Sequence, residues 1–136
     1  MLKTRPAREV IVRLPNEIGA FDRMAKTIAV KGVNIIAVSA SIEGSQAVVH
    51  LVTDDNVRVM DTLRAEHCEA SEADVLVTKA PHRPGMIHSI SERLARGGVH
   101  INRLYATAPI TQEHILIVVA SADNDRAMVL LNDSVV

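Results

Sequence analysis

Six histidines, a single cysteine and a handful of amides and glycines are the residues of this chain with chemistry beyond packing. A metal site needs ligands close enough for one turn or hairpin to aim them at one ion. His82 and His88 lie six apart, His67 adjoins Cys68, and the other histidines are scattered. No H-x3-H, C-x-x-C or H-E-x-x-H spacing occurs, so no metal and no cofactor is expected. His50 and His114 fall in apolar, strand-like runs and read as half-buried or edge residues. A nucleophilic Cys68 would need a base facing it, and neighbours such as His67 and Cys68 point apart on a helix. The chain also lacks G-x-S-x-G, a phosphate-cradling G-x-x-x-x-G-K and a dinucleotide loop. No catalytic residue is assigned, and the sequence reads as that of a non-enzyme.

Composition narrows the classes further. The 136 residues are 48% apolar and 23% charged, enough apolar content to bury a core. Fifteen Lys and Arg against sixteen Asp and Glu leave a net charge of -1. That balance gives no general pull toward nucleic acid or an anionic membrane. Phe21 and Tyr105 are the only aromatics, too few to stack single-stranded bases. The lone cysteine forms no internal disulfide, and MLKTRPAREV at the start has no apolar stretch. These features predict a soluble, cytoplasmic protein without nucleic-acid or membrane partners.

The elements that must position any site come in two copies. Leu14 to Ile35 overlays Ala80 to Ile101 at a shift of 66 residues. Pro15/Pro81, Gly19/Gly85, Ala29/Ala95, Gly32/Gly98, Val33/Val99 and Ile35/Ile101 are identical. At a shift of 68, Asp55/Asp123, Asn56/Asn124, Arg58/Arg126, Met60/Met128 and Leu63/Leu131 coincide. The chain is therefore one unit of about 66 residues written twice, divided here as 1–70 and 71–136. A unit of that size is marginal alone, so the copies are expected to pack on each other or on another chain.

In the first copy Val10 to Leu14 reads as a strand ended by Pro15. Phe21, Met24, Ala25 and Ile28 form an apolar helical stripe, closed by Gly32 in a left-handed position. Ile36, Val38, Ala40 and Ile42 predict a strand with one buried face. Glu43-Gly44-Ser45 turns into a strand over Ala47 to Val52, and Asp54-Asp55 opens a helix carrying Val57, Met60 and Leu63. The second copy predicts a strand over Val75 to Lys79, a helix over Met86 to Arg96, strands from Ile101 and His114, and a helix from Asp123. Thirteen residues, Cys68 to Ala80, are few for two strands, so one long strand is expected to finish the first copy and begin the second. The stub Asn132 to Val136 would close the second copy, or leave an edge for another chain.

Loop, helix and closing glycine together resemble the ACT domain, the ligand-sensing module of enzymes of amino-acid metabolism. The residues that carry the resemblance are Pro15-Asn16-Glu17-Ile18-Gly19 with Gly32-Val33-Asn34-Ile35, and His82-Arg83-Pro84-Gly85 with Gly98-Val99-His100-Ile101. It covers nearly the whole chain, twice. The resemblance implies an α+β chain of two ferredoxin-like βαββαβ units, each an antiparallel sheet with helices on one face. It also implies side-by-side pairing of units, a homodimer, and a small effector, commonly an amino acid.

Physical chemistry supports a site at those loops. Helix N-termini present unpaired N–H groups that favour an anion such as a carboxylate. Gly19 and Gly85 lack the Cβ that would hinder a ligand, and an amide both donates and accepts, as a zwitterion requires. The candidate binding residues are Asn16, Glu17, Ile18, Gly19, Ala20, Asn34 and Ile35 in the first copy. In the second they are His82, Arg83, Gly85, Met86 and His100. Histidines at 82 and 100 replace the family's amides, so the first copy is the better site. Structural readings stand beside these: the glycines as turn and cap residues, Asn16 as a helix cap, Asn34 as a solvated strand start, Arg83 as a solvated loop cation. The function expected is an amino-acid-binding regulator without a catalytic domain. The alternative is a ligand-free assembly module that pairs with an enzyme or regulator.

Overall fold

The computed structural model describes residues 2–107, 109, 111 and 113–132. Its elements run β1 (Lys3–Pro15), α1 (Ala20–Val30), β2 (Ile35–Glu43), β3 (Gln46–Thr53), α2 (Asn56–Ala65), β4 (Glu69–Pro81), α3 (Met86–Arg96), β5 (Ile101–Ala106), β6 (His114–Ser121) and α4 (Asn124–Leu131). This is the expected α+β order, and each copy folds as a ferredoxin-like unit.

The chain divides into a continuous unit, Arg8–Ala73, and a split unit, Met1–Ala7 with Asp74–Val136. The division read from the repeat, at 70/71, falls inside β4, and the first seven residues go with the second copy. The single long strand expected between Cys68 and Ala80 is β4, thirteen residues without a break. β1 is equally long and also gives residues to both units. The continuous unit orders its strands β2-β3-β1-β4, and the split unit β5-β6-β4-β1. In the split unit the fourth place is thus taken by the start of β1. Of the stub expected there, Asn132 is a bend, and residues 133–136 lie outside those described. Its amide instead fastens β1: Thr4 N–H donates to Asn132 Oδ1 at 2.7 Å.

Within each unit the pleat sends alternate residues of the central strand to the helices. Val10, Val12 and Leu14 of β1 meet Met24 and Ile28 of α1 and Met60 and Leu63 of α2. Leu76 and Ala80 of β4 meet Ile90 and Leu94 of α3 and Ala127 and Leu131 of α4. The hydrogen bonds repeat as faithfully as the cores. Asp55 and Asp123 cap α2 and α4 by accepting from Arg58 N–H and Arg126 N–H. Asn56 Nδ2 donates to Arg8 O at 2.9 Å, and Asn124 Nδ2 donates to Asp74 O at 3.1 Å. Arg58 reaches Lys31 O and Arg126 reaches Gly97 O, tying the helices of each unit together. Gly32 and Gly98 follow α1 and α3 with φ of 72° and 73°, the left-handed closure that glycine permits.

Not every expected core position is buried. In α1 the buried stripe is Ala20, Met24 and Ile28, four apart, and Phe21 lies 44% exposed. In α2, Val59 is buried and Val57 is exposed. β2 does not bury the face Ile36, Val38, Ala40 and Ile42: Val38 and Ile42 are exposed, and Ala37 is the buried residue. The cause is position. β2 is an edge strand with a register shift between Ile35 and Ala37.

Candidate functional site

The turn that leads from β1 into α1 is built by its own backbone. Asn16 N–H donates to Ser45 O at 3.2 Å, and Glu17 N–H donates to Pro15 O at 2.9 Å. Gly19 then takes φ 84° and serves as N-cap without a side-chain hydrogen bond, so Asn16 does not cap the helix. The N–H groups of Phe21 and Asp22 donate to no described acceptor and point out of the helix start. Arg23 folds back over this turn, pairing with Glu17 at 3.6 Å.

Beside the turn lies a depression of about 250 Å³. Asn16, Glu17 and Phe21 form one side, and Ala40, Ser41 and Ile42 of β2 form the other. Its volume is at the small end for ligand sites and matches a ligand of amino-acid size. Apolar walls, the Asn16 amide and the start of α1, whose first N–H groups lie outside the helical ladder, adjoin here, a combination that suits a carboxylate with a short side chain. Of the candidate residues, Asn16, Glu17 and Ala20 line the depression; Ile18 is fully exposed at the turn and Gly19 shapes it.

Asn34 and Ile35 stand elsewhere. Asn34 N–H is held by Asp54 Oδ1 at 3.0 Å, and Asp54 N–H returns to Asn34 O. Ser45, which bonds Asn16, and Asp54 flank opposite ends of β3. Asn16 and Asn34 are therefore on the order of 25 Å apart within the unit, at ~3.3 Å per strand residue. The split unit repeats the separation. His82, Arg83, Gly85 and Met86 belong to the turn before α3, where His82 N–H donates to Glu113 O and Gly85 has φ 90°. His100 sits at the far end, its carbonyl bonded by Ala122 N–H. Ala122 replaces Asp54, so the carboxylate that holds Asn34 has no counterpart beside His100.

The sequence does not single out Phe21 or the wall Ala40–Ile42, which line the depression. By sequence Phe21 belongs to the core because its apolar phase is right, yet it is 44% exposed and lines the depression beside the edge strand β2.

No group of three or more metal-ligating side chains occurs among the described residues. His50 is a satisfied histidine, its Nδ1 3.0 Å from Oε1 of the buried Glu9. Cys68 is a partly buried free thiol. No described helix is long and apolar enough to cross a membrane.

No protein-family model and no curated protein matches the chain. Solved structures do. A Bacteroides thetaiotaomicron protein, BT0572, superposes with a TM-score of 0.86 at 19% identity, covering 94% of this chain and 88% of that one. The ligand-free regulatory subunit of aspartate kinase from Thermus thermophilus gives 0.65 at 11% identity, covering 96% and 93%. The corresponding subunit from Thermus flavus gives 0.64 at 14% identity over the same shares. At these identities the likeness is one of fold. Two βαββαβ units, each completed by a strand shared along the chain, give this protein the fold of a tandem ACT-domain protein.

Proposed function

We propose that this chain is a regulatory protein that binds a small amino acid at the β1–α1 turn of its continuous unit. The observation that carries the reading is the depression of about 250 Å³ between that turn and β2. The ligand carboxylate takes the N–H of Phe21 at the helix start, while the charges of Arg23 and Glu17 cancel in their ion pair. Asn16 meets the ammonium group through its carbonyl, and Phe21 and Ile42 enclose the side chain. Two of the solved structures of similar fold are regulatory subunits of aspartate kinase, which favours regulation over catalysis. Asn34, at the other end of β3, belongs to no site this turn can form within one unit.

A thermal-shift panel over the twenty amino acids tests this reading, because a ligand that binds only the folded chain raises Tm. A rise confined to one or a few related amino acids, lost in Asn16→Ala, is the expected outcome. A flat panel counts against it. One observation favours the second reading, an assembly module: Phe21, Val38 and Ile42 make an exposed apolar strip along the β2 edge. Such an edge invites pairing with a second copy. Sedimentation of the wild type against Val38→Lys separates the two, since only the assembly reading requires the lysine to change the mass without any amino acid present.

A further inference from the structure

The split unit carries a second depression, of about 270 Å³, away from the turns discussed above. Thr4 Oγ1 lies 2.9 Å from Thr78 Oγ1, which sets the start of β1 beside β4. Side chains alternate across a sheet, so Lys3 and Arg5 project on the face opposite Thr4, together with Val77 and Lys79. Those three cations surround the depression, Val77 and Leu116 give it an apolar floor, and Asn132 closes the rim. Among the described residues no carboxylate pairs with Lys3, Arg5 or Lys79.

Like charges on adjacent strands of one face repel, and a sheet normally avoids placing them so. The continuous unit does avoid it. At a shift of 66 its residues in these places are Glu69, Ser71 and Arg13, with one charge of each sign. The net charge of the whole chain is -1, so the cluster is a local concentration and not a sample of a basic surface.

We propose that this depression binds a small polyvalent oxyanion, with Lys3, Arg5 and Lys79 neutralising its charge and the Val77–Leu116 floor receiving its apolar part. The site is independent of the amino-acid site, which lies in the other unit. Charge-assisted contacts of this kind are exposed, so each cation contributes roughly three- to tenfold in affinity.

The test is the Tm of the full chain in pyrophosphate or citrate, against sodium chloride at matched ionic strength. Both anions are expected to raise Tm above the chloride control. Lys79→Gln should reduce the rise and Lys3→Glu should remove it, while Arg13→Gln and Asn16→Ala leave it intact. Lys3→Glu should also raise the anion-free Tm by about 1–4 °C, because it installs the opposite-sign arrangement of the continuous unit. The proposal is overturned if neither anion exceeds chloride. It is equally overturned if the rise survives in Lys3→Glu, or if Arg13→Gln removes it as well.

Discussion

Asn56 and Asn124 make the same hydrogen bond to a central-strand carbonyl in their two units, whereas the turns before α1 and α3 share only a backbone trace. Gly19 and Gly85 agree in φ to within a few degrees, 84° and 90°. Around them His82 replaces Asn16, Arg83 replaces Glu17, and Ile87 replaces Phe21. Farther away Ala122 replaces Asp54, and Lys3 stands where the continuous unit has Glu69. The difference separates two kinds of demand. Caps, closing glycines and core leucines are held by the geometry of the fold, and either copy loses stability without them. Side chains that line a surface depression answer to a ligand, and the copies have moved apart there.

Substitutions made in pairs sharpen that comparison. Leu63 and Leu131 are equivalent and fully buried, so Leu63→Ala and Leu131→Ala should each cost about 2–5 kcal/mol in chemical denaturation. Next come the bridging amides. Asn56→Ala and Asn124→Ala each leave a carbonyl and a hydroxyl without their partner, at about 1–3 kcal/mol. The caps follow, with Asp55→Ala and Asp123→Ala each costing about 1 kcal/mol. In all three pairs the two copies should respond alike; a pair in which one member is neutral contradicts the view that folding holds these positions.

The smallest effect on stability should produce the sharpest break. Phe21 and Ile87 are equally exposed, at 44%, and truncation of either should change stability by less than about 1 kcal/mol. Only Phe21→Ala should weaken the thermal response to an amino acid. Equal loss in Ile87→Ala would place binding at both turns and erase the distinction drawn here.

Local signals carried much of this architecture in the sequence. Glycines that close helices, aspartates that cap them and leucines at helical spacing act within a few residues, so the repeat and the order of elements could be read directly. The long β4 followed from counting the residues available. The partner of β4 in the split unit did not, because nothing local ties Lys3 to Lys79 across 75 intervening positions. For the same reason Phe21, Val38 and Ile42 read as core: their apolar phase is right, and only strand order shows that β2 is an edge. Asn16 and Asn34 looked like partners because both are amides beside glycines. The antiparallel run of β3 between Ser45 and Asp54 keeps them apart within the unit.

The most direct test follows the backbone amides by heteronuclear NMR while the amino acid found by thermal shift is added. A ligand seated in the depression should move the amide signals of Ile18 to Asp22 and of Ser41 and Ile42, leaving those of Arg83 to His88 in place. Equal movement at both turns, or movement centred on Asn34 with the β1–α1 turn silent, would contradict the account.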